Sequence, residues 1–167
     1  MINIINLCKG IERPFWQREW FGIEFSDLHC ELSLTSLASS KFYDIFYREL
    51  FNKYHSMDQL PQEWRNEKQQ VANHLNCLIP RNARVLSLGC GLGFIEKFLL
   101  QSRNDISLVV SDYSEAIFRW IKKQLPSVHY VSNTPDSEFF DFIYLCQVLY
   151  ALSCNDAIDL PKSLKKI

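Results

Sequence analysis

The sequence predicts an α/β fold: a parallel sheet of about four strands with flanking helices, preceded by a helical N-terminal segment. Two observations lead there. From Arg84 onward, short β-rich runs alternate with stretches of helical spacing, and three glycines (Gly89, Gly91, Gly93) follow the first run. Residues 1–80, by contrast, contain no convincing glycine turn and carry apolar stripes at helical intervals. The predicted division is therefore a helical cap over residues 1–80, packed on a sheet domain over residues 81–167.

Taken in order, the chain opens on an irregular, aromatic-rich stretch with Phe15, Trp16, Trp20 and Phe21, read as a hydrophobic cap in preference to a flap over a substrate. Phe42, Ile45, Phe46, Leu50 and Tyr54 then recur at helical spacing and give one apolar stripe. After a break at HSMDQLP, Pro61 suits the first turn of a second helix, and Pro80 stops it. Trp64, Val71, Leu75 and Leu78 are expected on its buried face, with Glu63, Arg65, Glu67 and Lys68 on a solvated one. RVLSL is a strand ended by glycines, FIEKFLL a helix, ISLVVS a strand ending near Asp112, and SEAIFRWIKKQL a helix. SVHYVS and DFIYLC complete the expected strands, joined by right-handed crossovers.

The composition is that of a folded globular chain, with 47% hydrophobic and 22% charged residues among 167. A formal net charge of −1 gives no electrostatic reason to expect nucleic acid or an anionic membrane as partner. The six cysteines (Cys8, Cys30, Cys77, Cys90, Cys146, Cys154) include no C-x-x-C pair, and the four histidines supply no ligand pair, so no metal site is expected. Cys77, Cys90 and Cys146 fall in apolar segments and read as reduced, small hydrophobes. No basic start followed by an apolar core marks a signal peptide, and no apolar run approaches the length of a membrane span, so the cytoplasm is the expected compartment.

The glycine turn carries the chemistry. Glycine permits positive φ and lets a ligand approach the backbone with no Cβ in the way, at the carboxyl end of a strand where open α/β sheets bind ligands. Asp112, twenty-three residues after Gly89 at the end of the next strand, can accept hydrogen bonds from both hydroxyls of a ribose. The third glycine, Gly93, comes one residue earlier than in G-x-G-x-x-G, and Glu96 sits in the first turns of the following helix. A carboxylate there repels a pyrophosphate and tolerates a cationic ligand, which disfavours a nicotinamide-dependent oxidoreductase.

VLSLGCGLG, VVSDYSEAIF and FFDFIYLCQVLYAL together resemble the first, second-strand and fourth-strand motifs of the class I S-adenosylmethionine-dependent methyltransferases, in order and at fitting spacing over Arg84–Leu152. The resemblance implies a Rossmann-like domain with S-adenosyl-L-methionine as cofactor. It places Ser87, Gly89, Cys90, Gly91 and Gly93 around the methionine and ribose, Asp112 on the ribose hydroxyls, and Tyr113 beside the adenine. Asn133, preferred over Asp136, would meet the adenine amino group, while Cys146 and Gln147 would border the methyl group. Two positions depart from the family pattern: Ser87 stands where an acidic residue commonly helps hold the cofactor's amino group, and Ala151 where many members carry histidine.

The activity implied is methyl transfer to a small or medium-sized acceptor such as a metabolite, by a chain in which no catalytic residue can be named. His29, His55 and His74 are candidate bases, and Trp16, Trp20 and Tyr113 are candidate aromatic neighbours of a sulfonium. The alternative is a non-catalytic cofactor-binding or scaffold module that works beside a partner chain. A complete fold of this type has about seven strands. The sequence is accordingly read as the first part of that fold, truncated at Ile167, with the fourth-strand edge otherwise covered by a dimer mate, a partner chain or the N-terminal helices.

Overall fold

The structure, a computed structural model, describes residues 19–28, 40–132 and 139–148. Two short antiparallel strands, β1 (Glu19–Trp20) and β2 (Ile23–Glu24), lead through a 3₁₀ turn at Phe25–Leu28 towards α1 (Ser40–Lys53). A second 3₁₀ turn at Met57–Gln59 leads to α2 (Gln62–Leu78). Then follow β3 (Arg84–Leu88), α3 (Phe94–Ser102), β4 (Ser107–Ser111), α4 (Glu115–Gln124), β5 (His129–Val131) and β6 (Phe142–Leu145).

β3 to β6 form one parallel sheet in the order β5-β4-β3-β6, as the alternation of strand and helix predicts. Val85 pairs with Leu108 on one side and Phe142 on the other. β3 and β4 are near-continuous apolar runs because they are the central strands, and residues Val85–Leu88 and Leu108–Ser111 are all buried. The side-chain period of two then separates the faces. Val85 and Val110 join α1, α2, α3 and α4 in one large core through Phe46, Leu50, Ala72, Leu75, Leu99, Ile117 and Ile121. Leu86, Leu88, Val109 and Phe140 form a smaller cluster on the opposite face.

The two N-terminal helices lie on the helical layer of the sheet domain: α2 packs against α3, and α1 against α4. Phe42, Phe46 and Leu50, at the predicted i, i+4, i+8 spacing, are the buried stripe of α1. The start of α4 is capped from α1. Ser114 Oγ donates to Asp44 Oδ1 at 2.5 Å, and the Ala116 N–H reaches the same oxygen at 3.4 Å. Lys122 and Lys123 in the last turn of α4 complement its dipole. The carboxyl end of α2 is fixed by Arg103, whose Nη atoms donate to the carbonyls of Asn76, Ile79 and Pro80. The same guanidinium forks onto Asp105 at 2.6 and 2.8 Å and holds that carboxyl far below the usual carboxylate range.

Three expectations need correction. Residues 1–80 do contain a glycine turn: Phe21 and Gly22, both at positive φ, close the β1–β2 hairpin. Its strands have only two residues each, too short to show an alternating pattern. The buried face of α2 is rotated from the predicted one. Lys68 is buried and Leu78 is 52% exposed, because Trp64, Lys68, Ala72 and Leu75 form the stripe that faces inward. Cys77, on the outer side of the same helix, is exposed rather than part of an apolar interior.

Candidate functional site

The glycine turn lies where β3 ends, and it is held by β4. The N–H groups of Gly89 and Cys90 both donate to Ser111 O, at 2.7 and 3.0 Å, so the turn starts as an extension of the sheet. Gly91 N–H then donates to Asp112 Oδ2 at 2.9 Å, while the other carboxylate oxygen accepts from Ser114 N–H at 3.0 Å. Asp112 therefore ties the turn to the N-terminus of α4. Burial raises its pKa, against the opposing effect of the backbone N–H groups of Ser114, Gly91 and Tyr113. Three backbone donors leave the carboxylate with acceptor capacity for about one further donor. Tyr130 OH donates to the Asp112 carbonyl at 2.6 Å and fixes the same corner from β5.

Gly89 requires its lack of a side chain in two ways: its φ is +69°, and a Cβ would stand 2.4 Å from Val148 Cγ2. Gly93 has φ +77° and would place a Cβ 2.5 Å from Ile121 Cδ1 of α4. The third glycine is thus fixed by packing against the next helix as well as by the turn.

Behind the turn lies a buried polar triad. Ser87 and Tyr144 are register partners on β3 and β6, so their side chains share the sheet face that α3 covers. Both donate to Oε1 of Glu96, in the first turn of α3, at 2.6 Å each. Glu96 is 1% exposed, and burial pushes its carboxyl up despite those two bonds. Burial, with Glu96 beside it, also pushes the Tyr144 hydroxyl well up, and the Cys90 thiol likewise. Glu96 Oε2 is buried and has no hydrogen-bond partner among the described residues.

One cleft joins these groups. Its inner wall carries Ser87, the turn from Gly89 to Gly93, Glu96 and Tyr144. Its outer wall carries Trp20, Tyr47, Trp64, Lys68, Cys146 and Gln147. Lys68 Nζ sits 4.0 Å from the Trp64 ring centroid and donates to Gln147 Oε1 at 2.5 Å and Glu67 Oε1 at 3.0 Å. A second depression is lined by Asp112, which bonds Gly91 of the cleft, with Tyr113, Ser114, Glu115, Phe118, Tyr130 and Ser132.

No protein-family model matches the sequence, and no curated protein matches it either. Solved structures do match. The plantazolicin methyltransferase BpumL, in complex with SAH and a pentazolic or a triazolic desmethylPZN analog, superposes with a TM-score of 0.55 at 17% identity. Its complex with the monoazolic analog gives 0.53 at 16%. The match covers 77% of this chain and 51% of that one. The fold is that of the class I methyltransferases. The chain spans about half the length of these BpumL structures.

Within this methyltransferase fold the expected site residues fall into two groups. Ser87, Gly89, Cys90, Gly91, Gly93 and Cys146 line the cleft, and Gln147 with them. Asp112 and Tyr113 line the neighbouring depression, with Tyr113 44% exposed at its rim. Asn133, Asp136, Ala151, Trp16 and His29 lie outside the described residues. His55 and His74 are exposed, and neither lines the cleft. Trp20 is packed as well as placed at the site: it stacks on Phe46 at 4.9 Å while it forms part of the cleft wall.

Sequence reasoning did not anticipate Lys68 and Tyr144. A lysine among glutamates and glutamines reads as solvent-facing, and only its i, i+4 relation to Trp64 hints otherwise. Tyr144 sits in an apolar strand and carries no motif signal. Glu96 did stand out, for its place at a helix start, but its bonds to Ser87 and Tyr144 join three elements and have no local signature.

Proposed function

We propose that the chain binds S-adenosyl-L-methionine and transfers its methyl group to a small or medium-sized acceptor. The observation that carries the reading is the glycine turn at the end of β3, tethered through Gly91 to the Asp112 carboxylate at the end of β4. The residues fit such a ligand. Asp112 lines an open depression, where a ribose hydroxyl would donate to the acceptor capacity left by its three backbone donors, and Tyr113 forms the rim that would meet the base. Glu96 lines the inner cleft, where the amino-acid end of the ligand would lie, and its buried Oε2 has no partner among the described residues. Bound there, the cofactor supplies a methyl group activated by a sulfonium.

The chain's own residues would then act chiefly by position, and aligned reactants can contribute up to ~7–11 kcal/mol. Cys146 and Gln147 border the place of transfer, and Trp20, Tyr47 and Trp64 offer aromatic walls for cation and acceptor. The unpaired thiols Cys90 and Cys146 in the cleft suit a reducing compartment such as the cytoplasm.

Calorimetric titration with S-adenosylhomocysteine tests the reading. Asp112→Ala removes charge-assisted hydrogen bonds worth about 1.5–3 kcal/mol each and should weaken binding by about tenfold or more. Unchanged affinity in that variant would overturn the ribose assignment. Transfer of a labelled methyl group to a component of a cell extract would support the enzyme. Tight binding without transfer to any acceptor would make the chain a cofactor-binding module instead.

A further inference from the structure

The Ser87–Glu96–Tyr144 triad is asymmetric. Oε1 of Glu96 accepts two hydrogen bonds of 2.6 Å, while Oε2, equally buried, accepts none among the described residues. An ionised Glu96 leaves a buried anionic oxygen without a donor. A neutral one has its Oε1 already occupied, so the proton belongs on Oε2, where it has no acceptor. Neither state is complete among the described residues, and leaving such a group unsatisfied is costly. A ligand N–H⁺ that reaches Oε2 completes the ionised state: it supplies the missing donor and an opposite charge in a poorly solvated site.

We propose that Glu96 is the counter-charge for the ammonium end of an amino-acid-bearing ligand, accepting its hydrogen bond on Oε2 and releasing its own proton to solvent on binding. This rests on the adenosyl-ligand reading above and assigns to α3 the charge that Ser87, on β3, does not carry. Ser87 and Tyr144 are positioning residues here, because they hold Oε1 of a residue that lines the cleft and leave Oε2 as the oxygen still open among the described residues.

The surroundings support that assignment. Ser87 faces Glu96 from β3, and Tyr144 faces it from β6. Cys90 and Asp112 lie close enough to interact electrostatically, and Lys68 of α2 and Cys146 line the same cleft. Asp112 is engaged by the backbone of Gly91 and Ser114. The Lys68 ammonium is directed to Glu67, Gln147 and the Trp64 ring, and makes no hydrogen bond to Glu96. Burial raises the Glu96 carboxyl, the direction expected of a buried acid that meets no opposite charge.

The test compares two probes by calorimetry in buffers of different ionisation enthalpy. S-adenosylhomocysteine carries the amino-acid tail; 5′-methylthioadenosine keeps the adenosyl thioether and lacks the tail, so any proton linkage at Asp112 is common to both. The wild-type chain should release more protons on binding the first than the second somewhere between about pH 5 and 8. Glu96→Gln keeps the Oε1 acceptor for Ser87 and Tyr144 but puts an NH₂ donor where Oε2 was. It should bind S-adenosylhomocysteine about 10- to 100-fold more weakly, lose the extra proton release, and bind methylthioadenosine as the wild type does. Equal proton release for the two probes in the wild type overturns the proposal, and that measurement stands even if the variant fails to fold. Unchanged S-adenosylhomocysteine affinity in a folded Glu96→Gln overturns it too. A wild-type chain that binds neither probe overturns the adenosyl reading along with it.

Discussion

At the scale of single residues, the early third glycine has two explanations, one by ligand and one by packing, and the packing against α4 is explicit. Gly93 is left-handed at φ +77°, and a Cβ there would meet Ile121 Cδ1 at 2.5 Å, Leu125 Cδ1 at 3.1 Å and Met57 Cε at 3.2 Å. Gly93→Ala should destabilise the chain by about 1–3 kcal/mol through backbone strain and overpacking together. Ile121→Val removes the nearest methyl and by itself should cost about 0.5–1.5 kcal/mol. In the double variant the closest clash is relieved, while the φ strain and the tight approaches to Leu125 and Met57 remain, so the combined loss should be less than the sum of the two single losses. Strict additivity in urea unfolding would show that the steric contact with α4 contributes nothing.

At the scale of elements, Asp44 of α1 performs the capping that Ser114 would ordinarily perform for its own helix. Ser114 is the N-cap residue of α4, but its hydroxyl donates to Asp44, and the same carboxylate oxygen receives the Ala116 N–H. Asp44→Ala should therefore cost about 0.5–2 kcal/mol, the range of a lost cap, although the residue lies on another helix. Asp44→Asn, which retains an acceptor oxygen, should lose less. Equal melting temperatures for Asp44→Ala and wild type would remove the cap from the account. The contrast with Ser114 shows what a sequence can and cannot carry. The apolar runs RVLSL and SLVVS are legible as strands because burial on both faces of a parallel sheet leaves a local apolar run. The glycine turn and Asp112 are legible for the same reason, being set by positions within one β-turn-α unit and the strand after it. Asp44 on Ser114 and Tyr144 on Glu96 are not legible, since they join residues 70 and 48 positions apart through a packing angle that no local pattern encodes.

At the scale of the whole molecule, the site carries a stability penalty with a definite pH signature. Glu96 and Asp112 are both acids whose pKa is raised in the folded chain, chiefly by burial, from ordinary values of 4.5 and 3.8. Below those ordinary values both are protonated whether the chain is folded or not, and they contribute no pH dependence. As pH rises past them the unfolded chain gives up its protons first, so the folded state binds more protons and stability falls until the folded values are passed. Asp105, held low by Arg103, has the opposite linkage: its stabilisation is present above its ordinary value of 3.8 and is lost only in stronger acid. In the window above about pH 4.5, where Asp105 is constant, the ligand-free chain should therefore become less stable with increasing pH. Glu96→Gln should flatten that slope and be more stable than wild type at neutral pH, with its advantage vanishing towards about pH 4. Urea unfolding of both proteins across this range decides the matter. A wild-type profile that rises from acid to neutral pH, or a Glu96→Gln profile parallel to it, would mean that burial of the carboxyl is already compensated within the chain, and the triad would then have no unmet charge to offer a ligand.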